Sequence, residues 1–432
     1  MKSKAINIGI LGLGTVGCGV VKVIDENHRV ISNKIGSPLN IKKIADINTS
    51  RFRLIKLSKD KLTTKAEEVI EDKDIDIIVE VIGGIGVAKR YVLSAIKQKK
   101  HIVTSNEELM AKFGDQVIEA AGKEKIEVRF EASCGGGIPI IRPLKQCLAA
   151  NKIEEVIGIV NGTTNYILTR MSEEEKDLKE VLKEAIKEGY AEADPSLDID
   201  GFDASYKIAI LSSVAFQTRV NLSNVYREGI RGIEQKDIEY ARELGYKIKL
   251  LAIARREKDK IEIRVHPTLV PLTHPLSNVH GAFNAIFVKG NAVGELMFYG
   301  QGAGALPTAS AVVGDIIELA QRIKKGEVAS IYTPLKRLKV KNIALIESRY
   351  YFRMKVLDQP GVLAKVSKIL GEEKVSLASV VQKGSGGSLA EIVFLTYQVQ
   401  NMKISRALSQ IKRLKVVKEI GNIIRVEVEA GL

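Results

Sequence analysis

Two charged residues in the middle of the chain have the types and spacing needed to move a proton. Asp203 and Lys207 are four positions apart in a stretch of helical periodicity, so their side chains share one face of a helix. A surface ion pair has the same spacing. The preceding acids, Glu192, Asp194 and Asp198, favour a site, because clustered carboxylates suit the binding of an amino group and the orientation of a lysine. On the residues alone both interpretations stay open.

A glycine-rich turn near the start of the chain predicts a dinucleotide-binding site. The apolar run Ile6–Leu11 has the pattern of a buried strand, and a helical pattern follows the turn. Glycines at this spacing permit a tight turn, a close approach to a pyrophosphate and close packing of helix on strand, while the helix N-terminus faces the phosphates. The residues predicted to bind the cofactor here are Gly12, Gly14, Thr15, Val16 and Gly17.

An acid at the end of the second predicted strand bears on the choice of cofactor. Asp46 ends this strand, where a carboxylate accepts hydrogen bonds from an adenosine ribose, although it lies beyond the usual spacing of about 20 residues from the glycine turn. An acid there favours NAD, whereas Arg51 and Arg53 close by suit the 2′-phosphate of NADP. The sequence therefore predicts NAD or NADP and leaves the preference open.

Apolar periodicity predicts the elements that must position these residues. Strand-like runs alternate with helical ones, which predicts an α/β fold with a parallel, doubly wound sheet of the Rossmann type. The predicted strands after the first are residues 41–46, 75–82, 101–104 and 127–131. Further along, Ser172-Glu-Glu-Glu175 fits a capping box, so we expect a helix to begin at Ser172 and to end at Gly189.

The last part of the chain has a different pattern. Residues 349–430 follow the order strand, helix, strand, strand, helix, strand, which is the ferredoxin-like order (βαββαβ). A basic, weakly patterned segment at residues 324–341 precedes it and has the pattern of a linker. The order does not fix a function, because many functions use it.

The composition narrows the class of protein. The chain has 432 residues, enough for two or three domains. Its net charge of +14 would suit nucleic acid, but lysine and glutamate are interleaved and tryptophan is absent, so we expect no nucleic-acid partner. We find no apolar run long enough to cross a membrane and no signal segment, so we expect no membrane partner and a cytoplasmic enzyme.

Several long motifs resemble the homoserine dehydrogenase family. They include Asn161-Gly-Thr-Thr-Asn-Tyr-Ile-Leu168, Gly302-Ala-Gly-Ala-Leu-Pro-Thr-Ala309 and the segments 131–140, 192–207 and 264–271, in that family's order and spacing. The tail resembles an ACT domain through residues 358–363 and 380–384. The resemblance implies NAD(P)-dependent interconversion of L-aspartate 4-semialdehyde and L-homoserine, as in threonine and methionine biosynthesis, with feedback by an amino acid.

The resemblance also implies roles for single residues. Lys207 would pass a proton to the carbonyl oxygen as a hydride arrives from the nicotinamide, and Asp203 would hold that lysine. Burial would lower the pKa of Lys207 from its ordinary value of about 10.4 and so help the reverse direction. The substrate ammonium or hydroxyl would contact Glu192, Asp198 and Thr163. The cofactor would also contact Thr104, Ser105 and Gly304. A monovalent cation (Na or K) would bind, mostly through backbone carbonyls, to Glu131, Cys134, Gly136 and Ile138.

One position departs from the family. After Asn106 the family usually has a second active-site lysine, whereas this chain has Glu107. Lys112, five residues on, replaces the lost cation only by reaching back, and we count both residues among the substrate-binding candidates. Reversing a charge beside a substrate carboxylate or oxyanion weakens binding, so we expect reduced but real activity. The alternatives are a weakened or inactive ACT-regulated amino-acid sensor and a dehydrogenase of a related amino acid.

The resemblance gives an expected domain organisation. We expect a Rossmann domain at 1–135, rejoined by a helix at about 305–325, an α+β catalytic and dimerisation domain at 136–305, a linker at 326–348 and an ACT domain at 349–432. A homodimer or homotetramer is expected. An amino-acid effector, threonine by analogy, would meet backbone amides at the turn that contains Asp358, Gly361 and Val362.

Overall fold

Strands and helices alternate along most of the chain. The computed structural model describes residues 5–55, 57–327, 337–384 and 387–427. Within them the strands are β1 Ile6–Leu11, β2 Leu39–Ala45, β3 Leu62–Thr63, β4 Ile77–Glu80, β5 His101–Thr104, β6 Val128–Arg129, β7 Ile153–Ile159, β8 Tyr226–Arg227, β9 Tyr246–Glu257, β10 Lys260–Pro271, β11 Phe283–Gly290, β12 Gly294–Gln301, β13 Lys339–Val340, β14 Glu347–Leu357, β15 Leu377–Gly384, β16 Leu389–Thr396, β17 Val399–Gln400 and β18 Val417–Val426. The α-helices are α1 Thr15–Glu26, α2 His28–Ile35, α3 Glu67–Ile70, α4 Gly86–Lys97, α5 Glu107–Lys123, α6 Gly162–Glu174, α7 Leu178–Glu188, α8 Ser196–Ile199, α9 Phe202–Ala215, α10 Gln235–Glu243, α11 Ala305–Lys325, α12 Val362–Glu372 and α13 Asn401–Ile411.

A parallel sheet is the centre of the first of two compact units. This unit consists of Met1–Val156, Asp203–Asn224 and Phe283–Leu338. Its parallel strands lie in the order β3-β2-β1-β4-β5-β6. The central strands are apolar and buried because helices cover both faces of such a sheet. This is the order of a dinucleotide-binding sheet, whose ligands lie at the carboxyl ends of the strands, so the Rossmann prediction is confirmed.

Helix α11 belongs to the core of this same unit although it comes late in the chain. Its residues Val312 and Ile316 are buried in one apolar cluster with Val20 of α1. A Cβ on Gly19 would collide with the carbonyl oxygen of Ala305, so α1 and α11 approach closely only because residue 19 is glycine. The start of α11 is thereby fixed beside the helix that follows the glycine turn.

The second unit combines the C-terminal module with strands from the middle of the chain. It consists of Ile157–Phe202, Val225–Ala282 and Lys339–Leu432. Strands β9 and β10 form a long antiparallel hairpin, and β10 also pairs in parallel with β18. Beyond β18 the antiparallel order is β14-β16-β15, and α12 and α13 contribute to a shared apolar core with these strands. The predicted βαββαβ order is confirmed.

Two local predictions differ from the structure. The capping box at Ser172 is wrong, because α6 runs without interruption to Glu174 and has its N-cap at Asn161, whose side chain accepts from the Thr164 amide. The next helix ends at Gly189 as predicted. In the expected linker, Lys339–Val340 pairs with β10, while residues 328–336 lie outside the described residues, as do residues 428–432 of the expected ACT domain. Within the described residues, no helix has the length and apolarity needed to span a bilayer.

A buried arginine joins the C-terminal strands to α10 within the second unit. The side chain of Arg353, on β14, is 1% exposed and lies 2.8 Å from Asp237 of α10 and 3.2 Å from Glu391 of β16. Asp237 is itself fully buried. A buried charge that loses its partner is costly, because it keeps its desolvation penalty without compensation.

We predict that Arg353→Met lowers the free energy of unfolding by about 3–5 kcal/mol, because the buried Asp237 carboxylate loses its ion-pair partner. Urea unfolding followed by circular dichroism measures the change. Lys355→Met is the matched control on the same strand: its ion pair with Glu419 is exposed, with side-chain exposures of 39% and 46%, and such pairs contribute about 0–1 kcal/mol. Equal losses in the two variants would contradict the prediction.

Candidate active site

The glycine turn between β1 and α1 has the geometry of a phosphate-binding turn. Gly12 has a φ of 101°, and a Cβ there would lie 2.8 Å from the carbonyl oxygen of Val81. A Cβ on Gly17 would collide with the carbonyl oxygen of Gly12. A Cβ on Gly14, in contrast, would have only the Arg51 guanidinium near it, at 4.0 Å. The first and third glycines serve packing, and the second leaves open space beside the backbone, which a bound pyrophosphate requires.

Helix α1 begins at this turn with uncapped amides. Gly14 is its N-cap, it receives no side-chain cap, and its first turn contains no acidic residue. The first N–H groups of an α-helix have no partner inside the helix, and the positive end of the helix dipole lies there. The amides of Thr15, Val16 and Gly17 therefore form a site suited to an anion.

Asp46 lies directly after β2, and its carboxylate is already held by the protein. It accepts from the Leu13 amide at 2.6 Å and from the Asn48 amide at 2.7 Å, and Arg51 Nη1 lies 3.2 Å away. Burial raises the pKa of Asp46, but these hydrogen bonds outweigh burial and hold the pKa below its ordinary value. Asp46 therefore ties the glycine turn to the end of β2. The Arg51 side chain is 43% exposed and faces the same turn.

The ends of β4 and β5 contain a carboxylate that the sequence analysis missed. Glu80 is fully buried and accepts from the Thr104 hydroxyl at 2.6 Å and from the Ile82 amide at 2.9 Å, and burial raises its pKa. The Thr104 hydroxyl also accepts from the Asn106 amide at 3.1 Å. Thr104 is thus engaged within the protein, while Ser105 is partly exposed. An acid inside an apolar strand was the available signal for Glu80.

Lys207 and Asp203 form an ion pair on α9, in the same unit as the glycine turn. Lys207 Nζ lies 2.7 Å from Asp203 Oδ2, and the two side chains are 14% and 13% exposed. The acid precedes the lysine by one helical turn, which is the favourable orientation for such a pair. The predicted pair therefore exists and is largely removed from solvent.

Glu107, the first residue of α5, interacts electrostatically with both members of this pair. Burial and then the charge of Asp203 raise the pKa of Glu107 to about 7, against the opposing effect of Lys207. Burial lowers the pKa of Lys207, but the Asp203 and Glu107 carboxylates outweigh it and raise that pKa above its ordinary value. The expectation that burial leaves Lys207 with a lowered pKa is therefore wrong in its net direction.

Lys112, on the same helix as Glu107, is paired with a different acid. Its Nζ lies 2.6 Å from Glu108 Oε1 and 5.3 Å from the centre of the Tyr206 ring. The hydrogen bond to Glu108 raises the pKa of Lys112. The charge of Lys112 is thus balanced by an acid one helical turn before it.

Two of the predicted substrate-binding residues meet the start of α6 in the second unit. Thr163 lies in the first turn of α6 and its hydroxyl donates to the carbonyl oxygen of Tyr190 at 2.9 Å. The side-chain Nδ2 of Asn161, the N-cap of that helix, donates to Asp198 Oδ1 at 2.6 Å. Asn161 therefore positions both the helix and the carboxylate. It is the first residue of a motif quoted above, but its own role was not predicted.

The acidic segment of residues 192–203 divides between the two units. Glu192 is exposed and, like Asp198, belongs to the second unit, whereas Asp203 belongs to the first with Lys207. The sequence analysis treated all of these carboxylates as one cluster.

The loop after β6 contains the residues predicted to bind a monovalent cation. The Glu131 carboxylate accepts from the three backbone amides of residues 140–142 at 2.5 to 2.7 Å, so this side chain has a structural partner. Along the described chain, no backbone amide outside regular strands and helices donates to the carbonyl oxygens of Cys134, Gly136 or Ile138. No group of three His, Cys, Asp or Glu side chains suited to a metal occurs among the described residues.

Two further predicted ligand-binding turns begin a helix at a glycine with positive φ. Gly304 has a φ of 122° and is the N-cap of α11. Gly361 has a φ of 84°, is the N-cap of α12 and is followed by Val362; neither helix has a side-chain cap. Asp358 lies before the second turn, and its amide donates to the Ser388 carbonyl oxygen at 2.9 Å. Both turns present uncapped helix N-termini, as the glycine turn does.

Comparison with family models divides the chain into three matching regions. Residues 12–131 match the NAD-binding domain of homoserine dehydrogenase, residues 139–317 match the homoserine dehydrogenase domain, and residues 350–416 match the ACT domain.

Known proteins are similar over almost the whole chain. Homoserine dehydrogenase of Bacillus subtilis (strain 168) is 42% identical over 427 residues, which cover 98% of this chain and 99% of the relative. The crystal structure of a homoserine dehydrogenase from Thiobacillus denitrificans has 40% identity and a TM-score of 0.95 over 99% of both chains. A hyperthermophilic archaeal homoserine dehydrogenase in complex with NADPH has 28% identity and a TM-score of 0.64 over 77% of this chain and all (100%) of that one. The chain therefore belongs to the homoserine dehydrogenase family of NAD(P)-dependent oxidoreductases and carries a C-terminal ACT domain.

Proposed function

We propose that Lys207 is the proton-transferring residue of this dehydrogenase, which interconverts L-aspartate 4-semialdehyde and L-homoserine. The observation that carries the proposal is the 2.7 Å ion pair between Lys207 and Asp203, in the same compact unit as the glycine turn. The turn and the uncapped start of α1 fit a pyrophosphate, which supports NAD(P) as the bound cofactor.

The charge that develops on the substrate explains why a lysine suits this step. When bound, the reduced nicotinamide supplies the hydride. Addition of hydride to an aldehyde leaves negative charge on the carbonyl oxygen, and an ammonium group both stabilises that charge and donates the proton. Because its pKa is raised, Lys207 is an ammonium at neutral pH and suits reduction. In the oxidative direction it must first lose its proton, so homoserine oxidation is expected to become faster as the pH rises.

The polar groups of the substrate have candidate partners of matching chemistry. We assign the ammonium and hydroxyl of the substrate to Asp198, Glu192 and Thr163, since carboxylates and a hydroxyl match their hydrogen-bonding needs. Asn161 is then a positioning residue, because it holds Asp198 at 2.6 Å.

A monovalent cation fits the loop after β6. Carbonyl oxygens are the ligands that hard cations prefer, and within the described chain those of Cys134, Gly136 and Ile138 receive no backbone hydrogen bond from outside regular strands and helices. We assign the cation to these three carbonyl oxygens and to the carbonyl oxygen of Glu131. A cation bound there would add positive charge to this loop.

Regulation, domain bounds and assembly extend the proposal. We assign an amino-acid effector, threonine by analogy, to the turn of Asp358, Gly361 and Val362, since uncapped amides at a helix start suit a carboxylate. We further propose a Rossmann domain at 1–135 that includes α11, a catalytic domain at 136–305 and an ACT domain at 349–432. The protein would form a homodimer or homotetramer and act in the cytoplasm.

Replacing the lysine tests the central assignment. We predict that Lys207→Met lowers kcat by about 10²- to 10⁴-fold, the usual contribution of a positioned acid or base, while the cofactor still binds with the wild-type Kd, measured by titration calorimetry. Lys123→Met, an exposed lysine of the same unit, is the control and should match the wild type. Full activity in Lys207→Met would refute the role of Lys207.

Glu107 calls for a separate comparison. Steady-state oxidation of homoserine is measured with NAD and NADP for the wild type, Glu107→Lys and Glu107→Gln. We expect an active wild type, a modestly faster lysine variant and, in the glutamine variant, loss of the ionisation near pH 7 from the rate profile, since that pKa belongs to Glu107. An inert wild type beside an active lysine variant would favour the sensor interpretation. If the wild type and both variants are inactive, the assignment of Lys207 and its carboxylates to the active site is wrong.

Arg51 is the basis for a proposed preference for NADP. The Asp46 carboxylate is taken up by two amides and Arg51, whereas the Arg51 side chain is 43% exposed beside Gly14. We predict that Arg51→Ala raises KM for NADP by about tenfold or more, since a hydrogen bond to a charged group contributes about 1.5–3 kcal/mol, and leaves KM for NAD nearly unchanged. Lys123→Ala, at an exposed position of the same unit, is the control. An equal rise in both KM values in Arg51→Ala would assign Arg51 to the turn and not to the 2′-phosphate.

A further inference from the structure

A lysine outside the proposed active site is buried without a carboxylate partner. Lys249, on β9, is 3% exposed. Its Nζ donates to the carbonyl oxygen of Val279 at 2.6 Å and to Asn165 Oδ1 at 3.0 Å. Both acceptors are uncharged, and no ion pair joins Lys249 to an acid in the described part of the chain. An ammonium has three donors, so one remains beyond these two bonds.

Lys249 lines a small cavity in the second unit. The cavity has a volume of about 40 Å³. Its polar lining consists of Thr169, Ser172, Glu173, Lys247, Lys249 and His280. A single water needs about 10–15 Å³ by this measure. The space therefore suits about three water-sized atoms, the size of a halide, a formate or a carboxylate group.

The charges around the cavity are unevenly balanced. The acid in the lining, Glu173, accepts from His280 Nδ1 at 2.9 Å, and Lys247 Nζ lies 3.4 Å from the other nitrogen of the same ring. If Lys247 donates to Nε2, the proton of the neutral ring is on Nδ1 and faces Glu173. Glu173 is thus engaged by His280, and Lys249 is left as a deeply buried positive charge facing uncharged acceptors.

We propose that this cavity binds a small monovalent anion, a carboxylate or a halide, on Lys249. The anion would accept the third Lys249 donor, and the hydroxyl of Ser172 and the ammonium of Lys247 line the same space. Its negative charge would compensate a cation whose burial without a counter-ion is otherwise costly.

Anion binding at this site is coupled to a proton. Burial, and then the positive charge of Lys247, lower the pKa of Lys249 to about 7, against the weaker opposing effect of Glu173. The groups that face it are Lys247 on its own strand, Glu173 on α6 and His280 on the turn before β11. Above pH 7 Lys249 is neutral when the cavity is empty, so an anion must bind together with a proton. Affinity therefore falls as the pH rises.

The site lies behind the helix that carries Thr163. Asn165, the Lys249 partner on α6, also donates to the carbonyl oxygens of Val279 and Gly281, at 3.1 and 2.9 Å. Lys249 and Asn165 together fasten the turn after β10 to α6. A bound anion would keep Lys249 charged and strengthen this fastening.

The experiment measures binding without reference to activity. Titration calorimetry of the full chain with sodium formate and sodium chloride, at constant total sodium with sodium gluconate as the oversized reference anion, gives Kd between pH 6 and 9. We expect formate or chloride to bind, with Kd rising about tenfold per pH unit above pH 8, as uptake of one proton requires. The thermal midpoint should rise with the same anions relative to gluconate.

Variants separate this site from general salt effects. Lys249→Met should abolish binding and the anion-specific rise in the thermal midpoint. Lys247→Met should weaken binding and keep the pH dependence but move it to higher pH, because Lys249 remains and loses a charge that lowers its pKa. Lys260→Met, an exposed lysine of the same unit, is the matched control and should behave as the wild type. If Lys249→Met does not fold, anion binding by Lys247→Met and the pH dependence of the wild-type Kd still test the proposal. Absence of anion-specific binding in the wild type, a flat pH dependence, or equal shifts in wild type and Lys249→Met would each overturn the proposal.

Discussion

The charge balance around Lys207 is the interaction on which the proposed chemistry depends. Most of α9 is buried, so an ammonium group on this helix loses much of its hydration. Asp203, one turn earlier and 2.7 Å away, supplies the compensating charge and fixes the direction of the lysine. The same contact keeps the proton on Lys207. Together with the Glu107 carboxylate, it keeps Lys207 protonated at neutral pH, as the proposed reduction requires.

Patterns that arise from neighbouring residues were predictable from the sequence. Strands β1 and β5 begin and end where the apolar runs do, because buried parallel strands are apolar on both faces. The glycine turn was predictable from its spacing between a strand and a helix, although only the contact of Gly17 with the Gly12 carbonyl oxygen is local. Gly12 is confined by Val81, which follows β4, and Gly14 has open space beside it. The Asp203 and Lys207 pair was predictable because a four-residue spacing on a helix already brings two side chains together.

Features that depend on distant residues could not be predicted. Ser172-Glu-Glu-Glu175 satisfies the local rule for a capping box, yet Asn161 has already started that helix, and the chain simply continues. Burial, and then the charge of Asp203, which is distant in sequence, raise the pKa of Glu107 to about 7. The contacts of the Asp46 carboxylate with the Leu13 amide and with Arg51 were not predictable from the local pattern, while its contact with a ribose stays a prediction. In each case a local pattern was correct about residue type and incomplete about partners.

Three buried cations show how partners determine the state of a charge. Arg353 meets Asp237 and Glu391 and serves as a structural link. Lys207 meets Asp203 and Glu107, and its pKa rises. Lys249 meets only an amide oxygen and a backbone carbonyl, and its pKa falls to about 7. Burial acts in the same direction on all three, so the difference comes from the carboxylates. A buried cation with several carboxylate partners stays charged, whereas a buried cation without one changes its charge with pH or on binding an anion.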